Sequence, residues 1–368
     1  MKRRKLVKNL SLVGSTAGVV AATAQTIKAQ TSSGTTYPRL QWRMATSWPE
    51  SLDIIFGGCK LIASRVSELT NGRFEITVFP AGGIAPPLEI LDVVQSGLAE
   101  CGHTAGYYYT SKNLAFGFTT VLPFGLNTYQ QLTWMESGGG YELTRKLYAD
   151  YNLINFLCCS TGNQMGGWFT KEVNTVEDLK NLKMRIPGIG GEVMKRLGAQ
   201  VQNLPPSEIA LALERKGIDA AEWRVPYEDE QLKLNEAAPF YYYPGCHEPG
   251  TTYDLIINLN AWERLPLLYK QTIRVATMEA HQMAIAQYDA VNSLALKRLI
   301  SSGTKLVPFS QEILAAAQKA AFELYEEQAN ENPTFKEIYT QWKKFRDQIY
   351  QWNKINEFSF DQFVMNHE

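Results

Sequence analysis

Strand-like and helix-like segments alternate along the first part of the chain after residue 38. Apolar and polar positions alternate at residues 40–45, as they do in a half-buried strand. Residues 54–69 instead repeat apolar side chains at helical spacing and stop at an Asn-Gly pair, which is typical of a helix end. A second strand at 74–79 and a second helix at 86–96 continue the pattern. Such β-α-β-α order predicts a parallel sheet.

The same alternation resumes at residue 153 and predicts a second α/β unit. Apolar strand-like segments recur at 153–159, 183–186, 201–204, 218–223 and 253–259. Helical spacing marks 192–197, after a glycine-rich turn, and 208–215, where Ser207 is a good N-cap. The predicted bounds are 39–155 for lobe I, 156–254 for lobe II and 255–310 for a return to lobe I. Ligands of such folds bind at the carboxyl ends of strands, in the cleft between lobes.

Long helices fill the C-terminal part of the chain. Helical spacing extends over residues 262–301, and a short strand-like segment at 305–307 follows. Two further helices, 311–330 and 334–362, are separated by a proline. In the second, apolar side chains recur at alternating steps of three and four, as in a coiled-coil seam: Phe335, Ile338, Trp342, Phe345, Ile349 and Trp352. Residues 311–365 are therefore predicted to form a homodimer contact, with docking of the helix on its own domain as the alternative.

Residues 1–30 have the layout of an export signal. They carry six of the 36 basic side chains and no acidic one, followed by a short apolar stretch at 10–22 and by small residues. The adjacent Arg3 and Arg4 resemble a twin-arginine signal, and an ordinary signal is the alternative. We expect a periplasmic, soluble mature protein, because no later stretch approaches ~20 consecutive apolar residues.

Charge and motif content exclude several classes of function. Removing residues 1–30 leaves 30 of the 36 basic side chains against 37 acidic ones, a net charge of −7, whereas nucleic-acid binding needs a basic surface. The five cysteines form no C-x-x-C pair, which disfavours metal-finger and thioredoxin-type sites; most are predicted to be buried as small apolar residues. The glycine-rich turn at 187–191 lacks the last glycine of a dinucleotide fingerprint, because that position is Val193. Without a G-x-S-x-G or H-E-x-x-H motif, an enzyme is disfavoured.

Arg185 is the most informative single residue. It lies between Met184 and Ile186 in a strand-like segment that leads to the glycine-rich turn. A buried guanidinium without a partner is costly, so it needs an anion. Either a neighbouring Asp or Glu pairs with Arg185, or the carboxylate of a ligand does, because the planar fork matches a carboxylate with two parallel hydrogen bonds. The helix N-terminus beyond the turn also attracts anions.

Several stretches of the sequence resemble one protein family. They are TGNQMGGWF, LKMRIPG with GGEVMKRLGA, NLPPSEI, IDAAEW and YYYPGCHEPGT. Over about residues 39–365 the chain resembles the solute receptors of tripartite ATP-independent periplasmic (TRAP) transporters, in the subgroup that binds α-keto acids. The resemblance implies an α/β, two-lobed periplasmic-binding-protein-like fold with an interlobe cleft, a long connecting helix and a C-terminal helical extension.

The resemblance also implies which residues contact the substrate. Arg185 is expected to bind the substrate carboxylate. Tyr107 and Tyr108 are expected to contact the substrate from the first lobe. Gln164 is expected to contact both the substrate and a bound metal ion, and Glu248 to complete the site near both.

A metal ion is implied at the same place. By resemblance, Glu222 ligates it through the carboxylate, Trp223 through the backbone carbonyl, and Gln164 and Glu248 complete the set. If these residues converge, the two carboxylates, the substrate carboxylate and the arginine sum to −2, which favours a cation in a closed cleft. Oxygen ligands suit hard cations. The resemblance favours Na⁺, with Ca²⁺ as the alternative. Arg224 departs from the family's usual small or apolar residue and is expected to alter only the rim of the cleft.

These observations predict a periplasmic receptor that breaks no bond. It is expected to capture a 2-oxo monocarboxylate such as pyruvate and to deliver it to the TRAP membrane permease. The alternatives are a receptor for lactate with calcium, or for another small carboxylate or an amino acid. A periplasmic enzyme acting on 2-oxo acids and a sensory subunit that feeds a kinase are further alternatives.

Overall fold

The structure is a computed structural model, and it describes residues 37–367. The predicted export signal lies outside the described residues. Within them the strands are β1 (Leu40–Thr46), β2 (Phe74–Phe79), β3 (Cys101–Thr104), β4 (Leu153–Gly162), β5 (Gly167–Phe169), β6 (Lys183–Arg185), β7 (Gln200–Gln202), β8 (Ala220–Ala221), β9 (Phe240–Tyr243), β10 (Thr251–Asn258) and β11 (Lys305–Pro308).

Helices connect these strands and fill the C-terminal part. They are α1 (Asp53–Leu69), α2 (Ile90–Gln95), α3 (Gly117–Thr120), α4 (Thr128–Ser137), α5 (Gly140–Ala149), α6 (Gly188–Arg196), α7 (Pro206–Glu214), α8 (Pro226–Gln231), α9 (Leu234–Ala237), α10 (Leu259–Glu263), α11 (Leu267–Ser301), α12 (Gln311–Glu331), α13 (Pro333–Ile355) and α14 (Glu357–Met365). Short 3₁₀ helices cover Gly106–Tyr109, Leu114–Phe116 and Glu177–Leu179. No helix among residues 37–367 is both long and apolar enough to cross a membrane.

Two mixed sheets organise the chain and confirm the predicted α/β class. The strand order is β2-β1-β3-β10-β4 in one and β11-β9-β5-β8-β6-β7 in the other. The β-α-β-α pattern near the start gives parallel pairs of β1 with β2 and β3, as expected. However, β10 is antiparallel to β3 and β4, and β5 is antiparallel to β8 and β9. The chain enters these strands from the opposite end, which periodicity alone does not reveal.

Each sheet, with the helices packed on it, is called a lobe below; the first lobe contains β1 and the second contains β6. The first lobe takes β10 from a distant part of the chain, where it lies between β3 and β4. The predicted bounds at residues 155 and 254 fall inside β4 and β10, while the exact division of the chain into lobes stays a prediction. The loop after β4 leads to β5 of the second lobe, and the loop before β10 returns from β9 of that lobe.

The long connecting helix is present as predicted. It is α11, and it packs against α1 and β4 of the first lobe and against α8 of the second. The lobes also meet directly, because Asp53 at the start of α1 accepts hydrogen bonds from Tyr227 Oη and Gln231 Nε2, each at 3.0 Å. These contacts hold the two sheets around a common cleft.

The C-terminal seam divides into two parts. The first part packs against the rest of the chain, which buries Phe335, Ile338 and Trp342. The Trp342 ring lies 5.9 Å from that of Phe118. Further along the seam the side chains become exposed, and Trp352 reaches 59%. The predicted single helix also breaks at Asn356, which separates α13 from α14. Docking on the chain's own domain therefore accounts for the first part of the seam only.

Two local predictions are wrong. The helix after the glycine-rich turn begins at Gly188, not at residue 192, so the turn itself forms the first turn of α6. Ser207 is not an N-cap, because α7 already begins at Pro206 and Pro205 occupies the cap position. The prediction for the cysteines holds: four of the five are buried, Cys246 is half-buried, and all are free thiols.

Candidate functional site

Arg185 is the last residue of β6, and its side chain is completely buried. Its Nε donates to the Leu204 carbonyl oxygen at 3.2 Å. Its Nη1 donates to the carbonyl oxygen of Glu222 at 2.6 Å and to the Glu222 carboxylate at 3.2 Å. Nη2 has no hydrogen-bond partner. The guanidinium thus has an internal carboxylate partner and still keeps one buried donor for a ligand.

Strand pairing explains why Glu222 lies beside Arg185. The strands β6 and β8 are parallel, with Arg185 opposite Ala221, so the residue that follows β8 comes next to the guanidinium. Glu222 Oε1 is buried without a hydrogen-bond partner and lies 3.6 Å from His247 Nε2. Burial raises the pKa of Glu222 to about 8, although the charges of Arg185 and Arg224 lower it. This carboxyl group therefore gains from any further positive charge nearby.

Gln164 and Glu248 meet where the loops after β4 and β9 cross. The backbone nitrogen of Gln164 donates to the backbone carbonyl oxygen of Glu248 at 3.2 Å. The backbone carbonyl oxygen of Gln164 accepts a hydrogen bond from the backbone nitrogen of Gly245. A Cβ at Gly245 would lie 2.3 Å from that oxygen, so only glycine permits this approach. The side-chain Oε1 of Gln164 is buried and unpartnered. Burial and then the charge of Glu222 raise the pKa of Glu248 to about 8.

The two tyrosines approach from the first lobe. Tyr107 and Tyr108 lie on the 3₁₀ helix Gly106–Tyr109, both are buried, and the hydroxyl of Tyr108 has no hydrogen-bond partner. Across the cleft, a Cβ at Gly188 would lie 2.6 Å from the Tyr107 Cβ, and Gly188 has a φ of +61°. Glycine at the start of α6 therefore allows the lobes to close on each other.

The predicted ligand-binding residues thus come from both lobes and are buried together. Their relative exposures are 0% for Arg185, 1% for Glu222 and Trp223, 3% for Glu248 and Tyr107, 5% for Gln164 and 7% for Tyr108. A groove of about 240 Å³ leads to the tyrosines and to the start of α6. Larger grooves of about 500 and 670 Å³ flank α11, but none of the predicted side chains lines them.

The residues present fit a hard cation. Among the predicted ligands, Gln164 Oε1 and Glu222 Oε1 are buried oxygen atoms without a partner. Burial raises the pKa values of both Glu222 and Glu248, so a positive charge between them is favoured. A donor set of amide and carboxylate oxygens is typical of Na⁺ or Ca²⁺ and not of zinc or copper.

The expectation for Arg224 is wrong. The residue does not lie at the rim of the cleft, because its side chain is completely buried. Its Nη1 donates to Glu228 at 2.9 Å, while Nε and Nη2 have no hydrogen-bond partner. Its expected place at the rim rested only on its departure from the small or apolar residue that is usual in the family. The signal that was available is its position directly after the apolar segment at 218–223, which the sequence predicts as a buried strand.

A second buried cluster was not indicated by the sequence. His103, Cys158 and Cys159 have potential ligand atoms within 4.8 Å of one another. A β-bulge places both cysteines opposite Tyr253, with their sulfurs 3.8 Å apart. Trp48 Nε1 donates to His103 Nδ1 at 2.6 Å, so Nε2 carries the hydrogen and lies 3.2 Å from the Cys158 carbonyl oxygen. An imidazole with both nitrogens engaged in this way is typical of a hydrogen-bonded core, not of a metal ligand.

Comparison with known proteins places this chain among solute receptors. Residues 44–332 match the family described as bacterial extracellular solute-binding protein, family 7 (DctP). The chain is 53% identical over 364 residues to the monocarboxylate 2-oxoacid-binding periplasmic protein of Nostoc sp. (strain PCC 7120), and the match covers 99% of both chains.

Solved structures share the fold. A TRAP transporter solute-binding protein from Bordetella bronchiseptica superposes with a TM-score of 0.88 at 43% identity, covering 90% of this chain and 98% of that one. It is a mixed-occupancy dimer with copurified calcium and picolinate in its active site. A TRAP periplasmic solute-binding protein from Pseudoalteromonas atlantica, with bound sodium and pyruvate, gives a TM-score of 0.85 at 37% identity, covering 88% and 99%.

Proposed function

Because this chain belongs to the bacterial extracellular solute-binding proteins of family 7 (DctP), we propose that it is the periplasmic receptor of a TRAP transporter. The receptor captures a 2-oxo monocarboxylate such as pyruvate together with a cation and delivers it to the membrane permease. Family membership confirms the predicted class, a solute receptor and not an enzyme. We further propose that residues 1–30 direct export to the periplasm through the twin-arginine pair.

One observation carries the choice of ligand. Arg185 keeps a buried, unpartnered Nη2, and the oxygen atoms Gln164 Oε1 and Glu222 Oε1 are buried and unpartnered as well. The site therefore offers a free guanidinium N–H on one side and unpartnered oxygen ligands for a metal ion on the other. This arrangement suits a small carboxylate that also contacts the metal ion. The relative at 53% identity, named for binding monocarboxylate 2-oxoacids, supports this class.

Closure of the lobes supplies the part of the affinity that one arginine does not. A charge-assisted hydrogen bond contributes about 1.5–3 kcal/mol, whereas micromolar binding requires about 8 kcal/mol. The remainder comes from chelation of the cation, from contacts with Tyr107 and Tyr108, and from water exclusion. In this proposal the permease recognises the closed form, whose population rises with ligand.

The cation is proposed to bind Gln164, Glu222, the Trp223 carbonyl and Glu248. Na⁺ leaves one negative charge when the substrate carboxylate and Arg185 are counted, and Ca²⁺ leaves none. Related structures hold pyruvate with either sodium or calcium, so both ions suit this ligand class; Na⁺ is proposed and Ca²⁺ is the alternative. Bound there, the ion supplies positive charge to the substrate oxygens and to the two glutamates.

The C-terminal helices are proposed to form a homodimer. The end of α13 and the whole of α14 present apolar side chains to solvent: Trp352 59%, Ile355 71%, Phe358 54%, Phe360 65% and Phe363 63%. An exposed aromatic stripe of this kind is typical of a protein interface. The dimer described for the Bordetella relative is consistent with this assignment.

Isothermal titration calorimetry with pyruvate tests the function. We expect the wild-type chain to bind and Arg185→Ala to lose detectable binding while keeping its fold. Arg196→Ala is the matched control, because that exposed guanidinium pairs only with Glu327 at the surface and its loss should leave the affinity unchanged. Wild-type affinity in Arg185→Ala would place the ligand elsewhere.

The same titrations identify the cation and the competing ligands. Glu222→Gln keeps the shape of the side chain but removes its charge, so roughly tenfold more cation should be needed for half-saturation, equivalent to about 1.4 kcal/mol. Chelation by EDTA and replacement of Na⁺ by choline separate calcium from sodium. Titration of lactate and glutamate tests the other ligand classes, and any turnover of pyruvate observed by NMR contradicts a receptor.

A further inference from the structure

Arg224 leaves an entire edge of its guanidinium without a hydrogen bond. The side chain is completely buried, and only Nη1 is engaged, by Glu228 at 2.9 Å. The unpartnered atoms are Nε and Nη2. In arginine the Nε–H and Nη2–H bonds are parallel, and together they form the fork that binds a carboxylate side-on. Arg185 has only Nη2 unpartnered, so Arg224 holds the larger free donor surface of the two.

The surroundings of Arg224 fix the direction of this free edge. Aromatic rings cover the guanidinium carbon at 4.4 Å (Trp48), 4.2 Å (Trp223) and 4.6 Å (Tyr253). These three rings surround the guanidinium, and Glu228 accepts its one hydrogen bond, from Nη1. The carboxylate of Glu228 is held in turn by Trp223 Nε1 at 3.1 Å and by the Tyr288 hydroxyl. The Nε–Nη2 edge is therefore presented by a rigid support.

Arg224 lies close to the predicted ligand-binding residues. The Trp223 ring neighbours both arginines, with the guanidinium carbon of Arg185 at 5.1 Å and that of Arg224 at 4.2 Å. Burial raises the pKa of the unpartnered Tyr108 hydroxyl, and the charges of both Arg185 and Arg224 act against this rise. The Arg224 charge likewise acts on Glu222 and Glu248.

We propose that Arg224 is a second ligand-binding arginine, whose Nε–Nη2 edge binds an oxygen of the acid that Arg185 does not hold. Arg185 then selects a carboxylate, and Arg224 selects a further oxygen acceptor beside it, which makes the site specific for oxygen-substituted acids over plain fatty acids. This inference rests on the proposed function and extends it from a class of ligand to the residue that discriminates within that class.

Paired ligands test this role, because pyruvate and propionate differ only in the oxygen on the second carbon. Affinities for both are measured by tryptophan fluorescence titration in the wild type, in Arg224→Met and in Arg224→Lys. Losing the fork should weaken pyruvate binding by about tenfold to hundredfold and propionate binding much less. The preference for pyruvate over propionate should therefore fall at least tenfold. Lys keeps the charge but not the parallel donors, so the same fall is expected in Arg224→Lys.

A purely structural role gives a different result. If Arg224 only fills its aromatic cage, both affinities fall in parallel and the preference is unchanged, which overturns the inference. Should the variants not fold, as judged by circular dichroism, the wild-type protein is labelled with ¹⁵N-arginine. The buried Nε–H signal that survives in both Arg185→Ala and Arg145→Ala should then shift with pyruvate and not with propionate in the wild type, and an unshifted signal also overturns the inference. A wild type that binds no pyruvate refutes the proposed function itself.

Discussion

Burial determines the ionisation of individual side chains in both lobes. Glu222 and Glu248 are held near pKa 8 because water is excluded from them, and they are the acids that a cation would stabilise as carboxylates. His281 on α11 shows the opposite effect of the same cause. Its imidazole is buried against the Cys159 carbonyl oxygen, 3.1 Å from Nδ1, and burial lowers its pKa to about 4.

His281 should therefore make the protein sensitive to acid. In the unfolded chain this imidazole takes up a proton near pH 6.5, whereas the folded chain takes it up only near pH 4. Between these values the unfolded state binds more protons, so stability that is present above pH 6.5 is lost as the pH falls toward 4. The loss amounts to about 3 kcal/mol when complete. His281→Gln should remove this contribution, so the free energy of unfolding of the variant should rise relative to that of the wild type as the pH falls from 7 to 4.5 in urea unfolding; Glu222 and Glu248, whose pKa values are raised, act with the opposite sign in both proteins.

His367 provides the control, because it is exposed near the C-terminus. His367→Gln should keep the wild-type dependence of the unfolding free energy on pH. Equal slopes for wild type and His281→Gln would show that the acid sensitivity comes from other groups.

Single residues also show where sequence reasoning ends. The need of Arg185 for an anion follows from one charge in an apolar strand, and its burial bears this out. Its pairing with Glu222 depends on the register of β6 and β8, which joins residues 37 positions apart. Arg224 was misplaced for the same reason: the aromatic rings that cover it come from Trp48 and Tyr253, and only the folded chain brings them there.

Among the secondary-structure elements, α1 is fitted closely to the bulge in β4. Cys159 has a φ of +66° in this bulge, and its sulfur points at the helix. A Cβ on Gly58 would lie 2.3 Å from that sulfur, so glycine at this position makes room for the bulge. The neighbouring Gly57 has no atom within 4 Å of the position of a Cβ.

Two adjacent substitutions on α1 should thus have opposite effects. Gly58→Ala should destabilise the protein by about 1–3 kcal/mol, because the methyl group overpacks a rigid core. Gly57→Ala should be neutral or stabilise it by up to about 1 kcal/mol, because alanine favours the helix and meets no neighbour. Urea unfolding of both variants measures the difference. Equal stabilities would mean that the bulge can shift without cost.

Periodicity predicted most of these elements because helices and strands repeat their apolar faces locally. It did not predict the antiparallel entry of β10, which depends on contacts between distant parts of the chain. The bulge in β4 was also missed, since one extra residue against Tyr253 leaves the apolar run intact. The break at Asn356 escaped notice because the apolar spacing continues across it into α14.

For the molecule as a whole, α14 is the helix whose apolar side chains lack packing partners within the chain. No side chain of α14 is buried among the described residues, although four of its nine residues are Phe or Met and one is Val. A helix of nine residues is marginal in water by itself. Its apolar side chains therefore need a packing partner. The other end of the same seam is already packed on the chain's own domain through Trp342.

Removal of α14 should separate the subunits without harming the site. A chain that ends at Ile355 loses the exposed phenylalanines but keeps every ligand-binding residue, all of which lie before residue 250. We expect light scattering after size-exclusion chromatography to give a dimer for the full chain and a monomer for the shortened one, with the same pyruvate affinity. Leu267→Ser, which removes a side chain 72% exposed at the start of α11, should leave the dimer intact. If the shortened chain is still a dimer, the subunits associate through a different surface, and the exposed stripe must have another partner.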